Sequence, residues 1–166
     1  RTFKTNVHAM FWICRAALPR MRPGGVVINT ASIQGYDPNP SLLVYAPTKA
    51  AIINFTKALS QMAMKQGVRV NAVAPGPVWT PLIPSTLPAE KVESFGSDTP
   101  LGRVGQPAEL AGAFVLLASD EASAARYEAI ASSSRPRLAC ASARRTRTSC
   151  IFGKRCRIAW NAGMAS

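Results

Sequence analysis

Apolar side chains recur at near-helical spacing over residues 3–21 (Phe3, Val7, Met10, Phe11, Cys14, Ala17, Leu18) and halt at Pro23, Gly24 and Gly25, which predicts an amphipathic helix with a hard stop. Val26-Val27-Ile28-Asn29-Thr30 follows at once. A short β-branched run behind a glycine pair predicts a strand buried on both faces, in a central place in its sheet. A polar, turn-rich stretch over 35–41 leads to a second apolar-periodic segment over 43–64, closed by Gly67 at a C-cap position, so a long helix is expected there. Residues 68–73 form another compact strand-like run, stopped by Pro75-Gly76-Pro77. Shorter helices are predicted around 89–95 and over 107–119, where Pro107 suits a first-turn position.

Strand, long helix, strand is a βαβ unit. It calls for a right-handed crossover and a parallel sheet, so the expected class is α/β, with the ligand crevice beyond the C-terminal ends of the strands. The first strand runs into Ala31-Ser32 and the second into the loop 75–84, which brings these two segments side by side at one sheet edge. After Asp120 the pattern dissolves, and stretches such as Ser132-Ser133-Ser134-Arg135-Pro136-Arg137 have no period of either kind, so disorder is expected there.

Composition sharpens this division. With 166 residues and 48% hydrophobic content the chain can bury one moderate core. The net charge of +12 suggests an anionic partner until its distribution is read: 11 Lys/Arg against 7 Asp/Glu over residues 1–124, a net of +4, and 9 against 1 over 125–166, a net of +8. The basicity belongs mainly to the tail, whose aromatics Tyr127, Phe152 and Trp160 are scattered, an arrangement that argues against nucleic-acid binding. Cys14 stands alone, and Cys140, Cys150 and Cys156 are unevenly spaced without a nearby His. Neither a zinc signature nor a disulfide framework results, so no metal site is expected, and a reducing, cytoplasmic setting is. The longest apolar run, residues 110–118, is about half of the roughly 18 residues of a membrane span. The chain starts Arg-Thr-Phe-Lys, with no initiator Met and no signal core, and reads as starting within a longer protein.

Candidate chemistry gathers around one pair. Tyr45 and Lys49, in Y-A-P-T-K at the start of the long helix, share a face through their i, i+4 spacing. Alone, such a pair reads as a half-buried Tyr beside a solvated Lys. Its setting changes that reading: Ser32 lies 13 residues earlier at a strand end, Asn6 sits on the preceding helix, and Pro75, Gly76 and Thr80 follow the next strand. A phenol that titrates near 10 is a poor base at neutral pH unless a neighbouring cation favours its phenolate, and Lys49 is placed to supply that cation. Tyr36 has no Lys four residues on. His8, the only histidine, has no cluster to join, and Trp79 reads as packing.

On T-N-V-H-A-M-F, V-V-I-N-T-A-S-I-Q-G-Y, V-Y-A-P-T-K-A-A, V-R-V-N-A-V-A-P-G-P-V-W-T-P and L-G-R-V-G-Q-P-A-E-L-A, the chain resembles the short-chain dehydrogenase/reductase family, with a local texture like its glucose-dehydrogenase-like and general-stress members. The resemblance covers residues 1–123 and leaves 124–166 as a basic, non-homologous tail, which reads as out of frame. It implies a Rossmann-like, doubly wound parallel sheet whose N-terminal half is missing. It implies NAD- or NADP-dependent hydride transfer between a nicotinamide and a small carbonyl or alcohol substrate. Tyr45 would then be the acid/base, Lys49 its cation and the holder of the nicotinamide ribose, and Ser32 the hydrogen-bond partner of the reacting oxygen. Asn6 would anchor the proton-relay water, and Pro75, Gly76, Val78 and Thr80 would shape the nicotinamide pocket. The family's first two helices here imply a homo-oligomer.

The family's glycine-rich phosphate turn has no counterpart. Gly102 and Gly105 follow no strand and open no dinucleotide-binding unit, so the choice between NAD and NADP is unreadable. The alternative reading is therefore a truncated, catalytically silent remnant limited to subunit association.

Overall fold

The computed structural model describes residues 1–124 together with the backbone of 129–130 and 137–138. The expected tail disorder lies otherwise outside the described residues. Helix α1 (Ala9–Ala17) continues a π-helical turn at Lys4–His8 and ends in a 3-10 turn at Leu18–Arg20, so the predicted first helix is present as one run in three geometries. Strand β1 (Val26–Thr30) coincides with the β-branched run, α2 (Tyr45–Ala63) with the long apolar period, and β2 (Arg69–Val73) with the next strand run. Gly67 takes the left-handed conformation (φ 68°) that stops the α2 region, the conformation for which glycine lacks the Cβ penalty.

The sheet is built as the alternation requires. β1 and β2 run parallel in the register Val27↔Val70 and Asn29↔Ala72. Side chains alternate across a strand, so Val27, Asn29, Val70 and Ala72 share one face. That face meets α1 and α2. Val70 and Val27 pack with Cys14, Leu18, Leu59, Ala63 and Val68, while Ala72 packs with Ala31, Ile52 and Ile53. Asn29, at the limit of burial, donates from Nδ2 to Thr56 Oγ1 of α2 at 2.9 Å, which satisfies a polar group inside an otherwise apolar layer. The opposite face carries Arg69, whose side chain reaches the end of α5 (Pro107–Ala118), giving a helix–sheet–helix sandwich. The short helices α3 (Leu82–Thr86) and α4 (Ala89–Glu93) lie between β2 and α5 in the chain.

Among the described residues β1 pairs with β2, and most of its residues are half buried. One expectation changes. Past residue 120, where nothing regular was expected, the backbone of β3 (Ala129–Ile130) runs parallel to β2 at Val73 and pairs antiparallel with β4 (Arg137–Leu138). The sheet order is β1-β2-β3-β4.

Candidate active site

The site forms where β1 ends beside the first turn of α2. Asn39 caps the turn Pro40–Leu42 by accepting the Ser41 backbone N–H at 2.9 Å, and α2 starts three residues further on with Tyr45 as its first residue. One turn later Lys49 lies on the same face, its Nζ 5.5 Å from the centre of the Tyr45 ring. The ammonium also donates to the Thr30 carbonyl at 2.9 Å, so it bridges the helix to the last residue of β1.

Ser32 is buried just past that strand end and caps the turn Ile33–Gly35, its Oγ accepting the Gln34 N–H at 3.2 Å. The hydroxyl proton remains free for the Tyr45 phenol, and side-chain hydrogen bonding with Ser32 pulls the phenol pKa down. The Ile33 N–H donates to the Pro75 carbonyl at 3.0 Å, which joins the serine turn to the loop after β2. Gly35 lets this turn approach α2. A Cβ there would stand 2.9 Å from the Lys49 carbonyl carbon and 3.0 Å from the Ala50 nitrogen, closer than real side chains come.

Burial dominates at Tyr45 and holds its phenol above the ordinary value, with side-chain hydrogen bonding to Ser32 pulling the other way. Burial likewise pushes the Lys49 ammonium down. Lys49 faces the Tyr45 ring while one of its ammonium protons goes to the Thr30 carbonyl. At neutral pH the phenol is protonated.

Asn6 sits in the π turn, where the Ala9 N–H reaches back to the Lys4 carbonyl, a widened geometry that often marks functional helices. Its Nδ2 donates to Thr48 Oγ1 at 3.0 Å, and Thr48 Oγ1 donates to the Tyr45 carbonyl at 2.6 Å. Thr48 is fully buried. Sequence reasoning passed over both Thr48 and Gly35. The signal for Thr48 was its place three residues after Tyr45, on the buried side of the helix; Gly35 had none, because its reason is a close approach across 14 residues of chain to Lys49.

Of the loop residues, Pro75 is tied to the serine turn. Gly76, Val78 and Thr80 are half buried, and among the described residues none of them hydrogen-bonds to Tyr45 or Lys49. Val78 bridges to Gly105, with Trp79 N–H donating to the Gly105 carbonyl at 2.8 Å and Gly105 N–H to the Pro77 carbonyl at 2.9 Å. Gly105 thus backs the loop. Tyr36 and Trp79 are exposed, and so is His8.

A family model described as enoyl-(acyl carrier protein) reductase matches residues 1–132. General stress protein 39 of Bacillus subtilis (strain 168) is 55% identical over 123 residues, which make up 74% of this chain and 43% of that protein. Among solved structures, a short-chain dehydrogenase/reductase of the glucose/ribitol dehydrogenase type from Brucella melitensis superposes with a TM-score of 0.71 at 30% identity, covering 79% of this chain and 53% of that one. BdcA, solved in complex with NADPH, superposes with a TM-score of 0.72 at 29% identity, covering 80% and 54%. The chain spans less than half the length of the curated relative, 43%.

Proposed function

The chain belongs to the short-chain dehydrogenase/reductase family, and on that premise we propose that it carries the catalytic half of an oxidoreductase that uses NAD or NADP on a small carbonyl or alcohol substrate. The observation that supports this best is that Ser32, past the end of β1, and Lys49, on the same helix face, both lie beside Tyr45.

In this reading the bound nicotinamide supplies or accepts the hydride. The protein's residues do the rest. The Ser32 hydroxyl holds the substrate oxygen, and the Tyr45 phenol, protonated at neutral pH, gives that oxygen its proton during reduction. The phenolate left behind lies beside the Lys49 ammonium until a proton returns from the side of Asn6. The residues present fit the nicotinamide end of the cofactor. Lys49 stands where it can hold a ribose, and Pro75, Gly76, Val78 and Thr80 line the loop that the serine turn grips through Pro75. Partners in this reading are a small-molecule substrate and a second copy of the chain. Association would use α1 and α2, which expose Phe11, Trp12 and Met62. Among the described residues no helix is long and apolar enough to cross a membrane.

The second reading is a silent remnant limited to subunit association, through the apolar side chains that α1 and α2 expose. Nicotinamide fluorescence of NADH and NADPH with the purified 166-residue chain separates the two. Micromolar binding that weakens on Lys49→Ala, with Tyr45→Phe binding normally, supports the oxidoreductase. No binding at millimolar cofactor by a chain whose circular dichroism is that of a folded protein supports the remnant.

A further inference from the structure

Thr48 joins two residues of the candidate site without facing the cleft itself. Its side chain is fully buried, its Oγ1 lies 2.6 Å from the Tyr45 carbonyl, and Asn6 Nδ2 lies 3.0 Å from the same oxygen. A threonine hydroxyl has one proton. The carbonyl can only accept, so that proton is committed to Tyr45, and towards Asn6 the hydroxyl can only accept. Asn6 must then present its NH2 to Thr48 and keep its Oδ1 turned away.

We propose that Thr48 is a positioning residue that fixes the amide orientation of Asn6 and, through the same oxygen, the seat of Tyr45 at the start of α2. It is the single point at which the π turn at Lys4–His8 is hydrogen-bonded to the first turn of α2 among the described residues. The arrangement turns the Asn6 Oδ1 away from Thr48, so that Asn6 offers the site an acceptor suited to hold a water or an ammonium proton. The backbone supports this from both sides. The π turn carries Asn6 to Thr48, and the serine turn approaches the same helix closely at Gly35, against the backbone of Lys49 and Ala50. The consequence for catalysis rests on the oxidoreductase reading above, but the hydrogen-bond chain itself does not.

The test uses the full 166-residue chain and two readouts that need no turnover. The first is the side-chain amide signal of Asn6 in nitrogen–proton NMR, assigned by its loss in Asn6→Ala. The second is the ionisation of Tyr45, followed by the ultraviolet band of tyrosinate and assigned by difference from Tyr45→Phe. Thr48→Val keeps the shape and removes the hydroxyl. It is expected to speed hydrogen exchange of the Asn6 amide about tenfold or more, and to move the Tyr45 midpoint upward by about half a unit or more. The direction follows from steepness: a hydrogen bond such as that from Ser32 weakens sharply with misalignment, whereas burial declines gradually. Thr48→Ser, which keeps the hydroxyl and loses the methyl, is expected to restore both signals whatever it does to thermal stability.

Asn6→Ala guards against a Thr48→Val chain that does not fold. It removes the other end of the link and should shift Tyr45 in the same direction, with the double variant shifting no further than either single one. A Tyr45 midpoint and an Asn6 amide unmoved by Thr48→Val, or additive shifts in the double variant, overturn the proposal. Coupling that persists in a chain unable to bind NADH or NADPH refutes the oxidoreductase reading and leaves the positioning role standing.

Discussion

Arg69 donates to the Leu117 carbonyl at 2.8 Å, across 48 residues of chain, and the same guanidinium reaches the carbonyls of Ala118, Ser119 and Ala122. The Leu117 and Ala118 carbonyls are acceptors that the end of α5 leaves without intrahelical partners, those of Ser119 and Ala122 belong to the turn that follows, and a cation there also opposes the negative end of the helix dipole. β2 is thereby fastened to the helix on the far face of the sheet. Replacing Arg69 by Met keeps much of the stem and removes every donor. The expected loss is about 2–3 kcal/mol of unfolding free energy, the scale of hydrogen bonds to a charged group together with orphaned carbonyls. Urea denaturation of the two chains at equal slope measures it, and a difference below about 0.5 kcal/mol, the scale of an ordinary surface substitution, would sink the assignment.

The raised phenol of Tyr45 has a signed consequence for alkaline stability. Its folded pKa lies above its unfolded value near 10 because burial penalises the phenolate. Above that value the unfolded chain binds fewer protons at this position than the folded one, so stability falls as pH rises. This contribution is complete below about pH 10 and is lost from there up through the folded pKa. Tyr45→Phe, which cannot ionise, should show a shallower alkaline loss than the unsubstituted chain, compared in unfolding midpoints from neutral pH upward. Equal slopes would mean that Tyr45 titrates alike in both states.

An opposite sign holds on the acid side at Glu109. Its carboxylate pairs with Arg103 at 2.7 Å and accepts the Gln106 N–H at 2.6 Å, and these contacts hold its pKa down to about 2. Whatever it contributes is present above the ordinary carboxylate value and lost as pH falls towards about 2. Because the pair is exposed, the effect should be local and sensitive to salt. Glu109→Gln is expected to raise hydrogen exchange at the Gln106 amide at neutral pH, by a margin that shrinks in high salt. A protection unchanged by either the substitution or salt would count against the cap.

Much of this was legible in the chain. Val26–Thr30 announced itself because a β-branched run between glycines and a polar end has few other uses, and Tyr45 with Lys49 because their spacing is that of one helix face. What escaped is non-local. The role of Arg69 depends on carbonyls about fifty residues away, and a lone Arg in a strand run carries no mark of it. The surroundings of Tyr45 escaped for a similar reason. Sequence gives the nearness of Lys49 but neither the depth of the phenol nor the Thr30 carbonyl that shares the ammonium.

Gly35 offers the sharpest test of how the serine turn and the helix are spaced. A Cβ added there would stand 2.9 Å from the Lys49 carbonyl carbon, 3.0 Å from the Ala50 nitrogen and 2.6 Å from Ile53 Cδ1. The Ile53 methyl can rotate aside, whereas the backbone of α2 at Lys49 and Ala50 cannot without shifting the helix. Overpacking of this kind costs about 1–3 kcal/mol, and here the strain falls between the two halves of the site. Gly35→Ala should therefore lower stability by that amount and also separate Ser32 from Tyr45. Losing the Ser32 hydrogen bond would raise the phenol midpoint further, a change that strain elsewhere in the fold would not produce. Gly112→Ala, inside α5 where an added Cβ meets nothing within 4 Å, is the control: it should leave the Tyr45 midpoint in place and raise stability by about 0.5–1 kcal/mol, the helix preference of Ala over Gly. If Gly35→Ala destabilises the chain while the Tyr45 midpoint stays put, the close approach is a packing feature alone and the serine turn is held by Pro75 instead.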